Sequence, residues 1–284
     1  MHKINKAIIP LAGLATRIYP MNKITQKAFL PIIDKDGRVK PLILKLIEEL
    51  DEAGIKEIFL IIGKNDKEKY DNLFKKADEA VYAKLTEFDK QYDQKIEKLS
   101  HKIKCIIQKE PLGFADAVYQ AKPHINQEPC ILILGDTIYK SNENKNTVEQ
   151  LLDCYDKYEE TIIALQELNE ADLKYYGTIN GKKIDKNLIQ LDTIVEKPSI
   201  EYAKKHLLLD GKFYGNFGEF ILTEQVFDEI EAIMNIKIEK GEEYQLMDAF
   251  ENVIQKSGAK GLIINGESFD AGNIEAYKKI MREF

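Results

Sequence analysis

A loop of small residues with a cation at its end follows the first apolar run of the chain. The loop spans Leu11 to Arg17, has the sequence LAGLATR, and is followed by Lys27. Small residues allow backbone N–H groups to come close to phosphate oxygens. A guanidinium adds a forked donor and a lysine adds a point charge. The pattern favours a polyphosphate site, although a tight turn beside two surface cations also fits these residues.

Two other phosphate-binding loops are excluded by their motifs. The chain contains neither the G-x-G-x-x-G fingerprint nor the G-x-x-x-x-G-K-[ST] loop. The small-residue loop still has the right position, because it follows a strand predicted over Lys6–Ala12. In open α/β sheets, ligands bind beyond the carboxyl ends of the strands.

Apolar runs alternate with helical periodicities over residues 1–168. Continuous runs such as Ile131–Leu134 are typical of parallel strands covered on both faces. The patterns therefore predict a doubly wound α/β unit with a mostly parallel sheet. Strands are predicted at Lys6–Ala12, Lys56–Ile62, Ile103–Gln108, Pro129–Gly135 and Thr161–Leu168, and helices at Pro41–Ala53, Phe114–Ala121 and Asn146–Tyr158, with two charged helices between Asp66 and about Leu99.

The second part of the chain, residues 169–284, has a different pattern. Alternation between Tyr175 and Val195, with Gly177 and Gly181, predicts antiparallel hairpins beside the main sheet. Helices are predicted at Ser199–His206, Glu224–Met234, Glu243–Gln255 and Asn273–Glu283. We expect one domain over 1–284, with these small antiparallel and helical elaborations added to the α/β unit.

Composition excludes several classes of function. The chain has 284 residues and a net charge of −7, which argues against nucleic acid as the main partner. No apolar run approaches the ~20 residues of a membrane helix, and no signal-peptide pattern begins the sequence. We therefore expect a cytoplasmic protein that is not bound to a membrane.

Cysteines and histidines give no metal motif. The three cysteines lack a C-x-x-C pair, so we expect buried, reduced thiols at Cys105, Cys130 and Cys154. The four histidines are far apart in the sequence, and no zinc pattern is visible.

Further short motifs occur in order along nearly the whole chain. They are AIIPLAGLATR from Ala7, KAFLPIID from Lys27, QKEPLG from Gln108, LGD from Leu134, YG from Tyr176, VEKP from Val195, QLMDA from Gln245 and FDAG from Phe269. Together they resemble the sugar-1-phosphate nucleotidylyltransferases, and most of all the bacterial enzymes that use UTP and glucose 1-phosphate. Each motif is weak alone, but their shared order is specific.

The resemblance implies a fold, a reaction and partners. The fold would be the Rossmann-like nucleotidyltransferase fold, with a nucleotide-binding half over about 1–168 and a sugar-binding half over about 169–284. The reaction would join UTP and glucose 1-phosphate into UDP-glucose and pyrophosphate, reversibly and with Mg²⁺. The family likeness also implies a homodimer or homotetramer.

The resemblance assigns the charged residues of the site. Arg17 and Lys27 would bind the triphosphate and Lys197 the sugar phosphate, which makes these three the catalytic cations. Asp136 and Asp270 would hold Mg²⁺, an ion that commonly takes one or two carboxylates. Solvated surface lysines and turn-capping aspartates are the alternative interpretations.

The remaining assignments concern the base and the sugar. Ala12, Gly13, Gln108 and Gly113 would bind the nucleotide, where the Gln108 amide suits the imide edge of uracil or thymine. Gly177 and Glu196, together with Lys197, would bind the sugar, although Gly177 also fits a plain hairpin turn.

Several positions depart from the family pattern, among them Gln26, Ala28 and Asn273. Ala15 replaces the second glycine of the loop, which costs roughly 1 kcal/mol if that position needs a positive φ. Asp116 lies in FAD where L-G-H is usual, and Thr137 replaces a second aspartate after Asp136. A thymidylyltransferase, a transferase for another sugar and a catalytically weak nucleotide-sugar sensor therefore remain alternatives. A glycosyltransferase is a further one, but the D-x-D motif common in that class is absent here.

Overall fold

The computed structural model describes residues 3–239 and 241–283. Its strands are β1 (Lys6–Pro10), β2 (Pro31–Ile33), β3 (Val39–Pro41), β4 (Glu57–Gly63), β5 (Ile103–Gln108), β6 (Cys130–Ile133), β7 (Thr137–Ser141), β8 (Ile162–Leu168), β9 (Gly177–Asp185), β10 (Leu188–Glu196), β11 (Phe213–Leu222), β12 (Lys260–Ile263) and β13 (Gly266–Asp270). Its helices are α1 (Leu42–Glu52), α2 (Lys67–Phe74), α3 (Glu79–Tyr82), α4 (Glu87–Ser100), α5 (Phe114–Tyr119), α6 (Lys122–Ile125), α7 (Thr147–Tyr158), α8 (Ile200–His206), α9 (Glu224–Met234), α10 (Leu246–Ser257) and α11 (Ile274–Glu283).

A nine-stranded sheet forms the centre of the molecule, in the order β5-β4-β1-β6-β11-β8-β12-β10-β9. The neighbours from β5 to β6 are parallel, as are β8 and β12, while the other neighbours are antiparallel. The α/β class predicted from the sequence is confirmed. The parallel arrangement belongs mainly to the first half of the chain, and the sheet as a whole is mixed.

Helices cover both faces of this sheet. Side chains alternate across β1, so that Ala7 and Ile9 pack on one side while Ile8 packs on the other. Helices α1 and α7 pack on the face that carries Ala7 and Ile9, and helices α5, α9 and α10 pack on the face that carries Ile8. Burial on both faces explains why these strands are continuous apolar runs in the sequence.

Local sequence sets several helix boundaries. Asn146 caps α7 by accepting a hydrogen bond from the Glu149 N–H at 2.9 Å, while the Glu149 carboxylate accepts one from the Asn146 N–H at 2.8 Å. Such a reciprocal cap stabilises a helix by about 1 kcal/mol. Helix α1 ends just before Gly54, whose φ is 87°.

Three expectations about elements need correction. The segment 175–196 forms one hairpin, β9–β10, which is part of the main sheet rather than beside it. Strand β11 was not predicted because Gly215, Asn216 and Gly218 interrupt its apolar pattern, yet all of its residues are buried. The charged segment 66–99 contains three helices instead of two.

The cysteine expectation is confirmed in part. Cys130 and Cys154 are buried, and burial raises the pKa of the Cys154 thiol to about 11. Cys105 is only partly buried. Within the described ranges, no helix is long and apolar enough to cross a membrane.

Candidate active site

The loop after β1 presents unpaired backbone amides. The Leu11 N–H donates to the Ile61 carbonyl of β4 at 2.7 Å and fixes the start of the loop. The N–H groups of residues 12–15 donate no hydrogen bond to any other described residue. Ala15 has φ 53° and ψ 34° and precedes a 3₁₀ turn at Thr16–Ile18. The position therefore does require the left-handed conformation that a glycine adopts without strain.

A cavity of about 350 Å³ lies against this loop. The four residues that the sequence analysis assigned to the nucleotide all line it: Ala12, Gly13, Gln108 and Gly113. Lys27 and Asp136 lie in the same wall. The structure thus brings together residues from β1, β5 and β6 at the carboxyl edge of the parallel strands, where the topology predicts a ligand.

Gly113 occupies a position that no other residue fits. Its φ is 117° and its ψ −179°, a region that is almost exclusive to glycine. A Cβ there would lie 2.6 Å from the Tyr244 carbonyl oxygen. Tyr244 is held in place because its N–H donates to Leu112 at 2.9 Å and its carbonyl accepts from Ala115 at 3.0 Å. The wall of the first cavity at Gly113 is therefore joined to the segment that precedes α10.

The two candidate metal-binding carboxylates are neighbours. Asp136 lies between β6 and β7, and β13 pairs antiparallel with β7 so that Asp270 is opposite Thr137. The Ala271 N–H also donates to the Asp136 carbonyl at 2.8 Å. This two-stranded ladder brings together two aspartates that are distant in the sequence.

Arg17, Lys27, Asp136 and Asp270 form what we call the rim cluster. Lys27 Nζ lies 2.7 Å from Asp136 Oδ2. Arg17 Nη1 lies 2.5 Å from Asp270 Oδ2, and its Nη2 lies 3.7 Å from Asp136 Oδ2. Partial burial acts to lower the pKa of Arg17, but Asp270 and Asp136 outweigh it and the pKa is raised. The charges of the two cations and the two carboxylates therefore neutralise each other, and Lys27 and Asp136 of this cluster line the cavity.

A second cavity, of about 460 Å³, meets the first at Asp136. Glu196, Lys197, Arg17 and Asp270 line it. Lys197 Nζ lies 3.0 Å from Glu196 Oε1. The Lys197 backbone has φ 46°, and its N–H donates to the Tyr176 carbonyl at 3.2 Å. Arg17 thus lines the second cavity, Lys27 lines the first, and Asp136 lines both.

Gly177 lies at the start of β9 in a crowded environment. A Cβ at this position would lie 2.9 Å from Asn216 Nδ2, 3.0 Å from Met247 Sδ and 3.2 Å from Glu196 Oε2. The absence of a side chain lets these three groups approach the backbone. These three groups line the second cavity, whereas Gly177 itself lines neither cavity, and its contact with a sugar remains a prediction.

Sequence reasoning missed several lining residues. Gln245 and Met247 belong to the QLMDA motif, which was noted but given no role, and both line the second cavity. Asn216 was missed together with β11. Glu243 lines the first cavity without belonging to any recognised motif. Only the interruption of β11 by polar residues was a usable signal, because buried polar residues need a reason to be there.

The rim cluster is chemically suited to a divalent ion. Asp136 and Asp270 contact the same guanidinium, so a single cationic group already lies between them. Carboxylate oxygens are the ligands that Mg²⁺ prefers, with phosphate and water completing its shell. Among the described residues, no group of three or more His, Cys, Asp or Glu forms a closed metal cage. An open, two-carboxylate site is therefore the arrangement that the structure offers.

Comparison with known proteins decides the family. The profile described as "Nucleotidyl transferase" matches residues 6–284. The chain belongs to the nucleotidyl transferase family. It is 32% identical, over 95% of its length and 86% of the relative's, to UTP–glucose-1-phosphate uridylyltransferase YngB of Bacillus subtilis. It is 31% identical to the UTP–glucose-1-phosphate uridylyltransferase of Staphylococcus epidermidis, over 100% of this chain and 93% of that one.

Solved structures give the same family fold. A crystal structure of UDP-glucose pyrophosphorylase complexed with UDP-glucose is 26% identical, with a TM-score of 0.82 over 98% of this chain and 97% of that one. The resemblance drawn from the ordered motifs is thus confirmed. This nucleotidyltransferase carries its small-residue loop, Asp136 and Asp270 at one edge of the sheet.

Proposed function

We propose that this nucleotidyltransferase transfers a uridylyl group from UTP to glucose 1-phosphate, giving UDP-glucose and pyrophosphate in a reversible reaction. The names of its relatives support these substrates. The observation that carries the proposal is the meeting of two cavities at Asp136. One cavity is bordered by free backbone amides and the other by a lysine–glutamate pair, as a nucleotide and a sugar phosphate require.

The two cavities divide the binding work. In the first, Gln108 and Gly113 face the base while Ala12, Gly13 and the neighbouring amides face the phosphates. In the second, Glu196 accepts hydrogen bonds from sugar hydroxyls and Lys197 binds the sugar phosphate. Asp136 lies where the two substrates meet.

The chemistry needs alignment and charge neutralisation. A phosphate oxygen of glucose 1-phosphate attacks the α-phosphorus, the bond to the β-phosphate oxygen breaks, and pyrophosphate leaves with that electron pair. No protein nucleophile is needed, so catalysis depends on holding two anions in line and on stabilising the leaving group. Lys27, Arg17 and Lys197 supply the positive charge by exchanging their carboxylate partners for phosphate oxygens.

Asp136 and Asp270 are the residues that would hold Mg²⁺. The ion would add positive charge beside the transferred and leaving phosphates. The same carboxylate oxygens hold Arg17 and Lys27 in this structure, so carboxylates engaged with a metal would leave both side chains available for phosphate.

A pyrophosphate-release assay tests the function. UTP, dTTP, ATP, CTP and GTP are each combined with glucose, galactose and N-acetylglucosamine 1-phosphates in the presence of Mg²⁺. We expect the highest kcat/KM for UTP with glucose 1-phosphate. Preference for dTTP would identify a thymidylyltransferase, and tight UDP-glucose binding without pyrophosphate exchange would identify a nucleotide-sugar sensor.

Domain organisation, assembly and location belong to the proposal as well. We expect one domain over 1–284, a homodimer or homotetramer, and a cytoplasmic location. Light scattering on the purified protein measures the assembly, and a monomeric mass would contradict it.

A further inference from the structure

The side-chain amide of Gln108 is held in one orientation. Gln108 ends β5 and lines the first cavity. Its Nε2 donates to Asp116 Oδ2 at 2.6 Å and to the Gly113 carbonyl oxygen at 3.3 Å. Both donor hydrogens of the amide are therefore used inside the protein.

Asp116 sets that orientation together with the Gly113 carbonyl, and its hydrogen bond to Gln108 is the shorter of the two. Asp116 is buried on α5, outside the cavity lining, and its other oxygen accepts a hydrogen bond from Gln120 Nε2 at 2.8 Å. The Asp116 oxygen that faces Gln108 accepts its hydrogen bond, as the Gly113 carbonyl oxygen does. The nitrogen of the Gln108 amide must therefore face Asp116, because the opposite orientation would set two acceptors against each other.

This arrangement leaves one polar atom of Gln108 for a ligand. Oε1 accepts no hydrogen bond from any of the described residues. The Gly113 N–H nearby likewise donates to none of them. The wall of the first cavity thus offers an acceptor beside a donor.

That pattern distinguishes uracil from cytosine. Uracil has an N3–H donor flanked by carbonyl acceptors, which complements Oε1 and the Gly113 N–H. Cytosine has an N3 acceptor and an amino donor in the corresponding places, so it meets the wall with the opposite polarity. A polar site of this kind rejects the wrong partner strongly, because buried groups are then left unpaired.

We propose that Asp116 is a positioning residue that sets the base preference of this enzyme by fixing the Gln108 amide with Oε1 toward the cavity. Asp116 touches neither substrate, and its effect passes through Gln108 alone. The proposal rests on the proposed function for its choice of UTP. It adds the residue that makes the base pocket prefer an N3–H donor.

The test is Asp116→Asn. An asparagine has the same shape but offers both a donor and an acceptor, so it no longer dictates which end of Gln108 faces it. Binding of UTP and CTP with Mg²⁺ is measured by titration calorimetry, and kcat by pyrophosphate release. We expect the ratio of Kd for CTP to Kd for UTP to fall at least ~10-fold, with kcat at saturating UTP within about twofold of wild type.

Two further variants keep the test decisive. Glu49→Gln makes the same change in a carboxylate buried in α1, away from both cavities, and should leave the Kd ratio unchanged. Asp116→Ser replaces the Asn variant if that variant does not fold, since a hydroxyl also both donates and accepts. Circular dichroism and thermal melting establish that each variant is folded.

The outcomes separate the two proposals. Equal weakening of UTP and CTP binding in Asp116→Asn would reduce Asp116 to a structural role and overturn the inference. A wild-type protein that binds UTP no better than CTP would overturn it as well. A wild type that binds UTP selectively but releases no pyrophosphate from UTP and glucose 1-phosphate would refute the proposed function alone.

Discussion

The molecule contains two clusters of cations and carboxylates that differ in burial. The rim cluster lies at the junction of the cavities. A second group, which we call the hairpin cluster, is formed by Asp34, Asp36, Lys40 and Glu48 where the β2–β3 hairpin packs on α1. There Lys40 Nζ lies 2.7 Å from Asp34, 2.9 Å from Asp36 and 2.9 Å from Glu48.

The cation of the hairpin cluster is buried, whereas the Arg17 cation of the rim cluster is accessible to a ligand. The Lys40 side chain is 4% exposed, whereas Arg17 in the rim cluster is 52% exposed. Burial alone would lower the pKa of Lys40, but its carboxylate partners raise it well above its ordinary value. Burial would likewise raise the pKa of Asp36, which hydrogen bonds from Lys40 and Arg38 lower to about 2. Substrate cannot replace these partners, whereas phosphate can replace those of Arg17.

Lys40→Met should have the largest effect and should act on stability. The change leaves the Asp34 and Glu48 carboxylates buried without their shared cation, which costs about 3–5 kcal/mol in the free energy of unfolding. Urea denaturation measures it. Lys95→Met is the matched control, because it removes a partly exposed partner of Glu48 and should cost less than about 1 kcal/mol. Equal losses in the two variants would contradict the comparison.

A buried carboxylate next to the hairpin cluster, Glu49, should make stability depend on pH. Lys45 links it to the cluster, because Lys45 contacts both Glu49 and Asp34. Glu49 is buried, Lys45 Nζ lies 3.3 Å from its Oε1, and its Oε2 has no hydrogen-bond partner. Burial raises the pKa of this carboxyl from 4.5 to about 7. The native state therefore holds its proton while the unfolded state loses it, so stability falls as the pH rises from about 4.5 to about 7.

Glu49→Gln should remove this contribution. The wild type should lose up to about 3 kcal/mol of stability between pH 5 and pH 8 through Glu49, because each pKa unit corresponds to about 1.4 kcal/mol. Urea titrations of both proteins across that range measure the difference. Parallel pH profiles would show that Glu49 does not titrate in this range.

Asp136→Asn tests the rim cluster through activity. Turnover should fall at least ~100-fold, about 2.7 kcal/mol in the activation barrier, because the change removes both the proposed metal ligand and the carboxylate partner of Lys27. The melting temperature should stay within a few degrees, since the cluster is partly exposed. Asp153→Asn, which changes an exposed aspartate paired with Lys145, should retain full turnover. Near-wild-type rates in Asp136→Asn would refute the metal role.

Lys197→Ala should give the smallest effect. The apparent KM for glucose 1-phosphate should rise about 10-fold, with a smaller change in the KM for UTP, because only the second cavity, the proposed sugar-phosphate site, loses a cation. Steady-state kinetics with each substrate varied in turn measure both constants. Lys204→Ala is the control, since Lys204 pairs with Glu170 on the surface. An unchanged KM for glucose 1-phosphate would remove Lys197 from the site.

The bounds of helices and strands were predicted best where one uninterrupted apolar or amphipathic run forms the whole element. Ile103–Gln108 and Glu224–Met234 were predicted with their observed bounds, and most parallel strands within two residues, because each is a single apolar or amphipathic run. Arg17 and Lys27 were predicted as phosphate-binding cations from the loop itself, whereas the metal roles of Asp136 and Asp270 rest on the resemblance alone. Nothing local in the sequence indicates that Asp270 lies beside Asp136, since that proximity depends on the long-range β7–β13 pairing.

The burial of β11 and the orientation of Gln108 could not be predicted from the sequence, because both depend on tertiary contacts. β11 is fully buried although it contains Asn216 and Glu219, so its burial follows from its central place in the sheet rather than from its own hydrophobicity. The orientation of Gln108 depends on Asp116, a residue that in the sequence was only a departure from a motif. Polar pairs inside a core have no periodicity that a sequence pattern can reveal.

The ladder between β7 and β13 also has a consequence for how the enzyme is made. Ribosomes synthesise proteins from the amino terminus, so Arg17, Gln108 and Asp136 leave the exit tunnel well before Asp270. A chain interrupted ahead of β13 would carry the residues of the first cavity without the carboxylate that restrains Arg17. Asp270 is therefore the last member of the rim cluster to be synthesised, and β7 receives its partner strand only then.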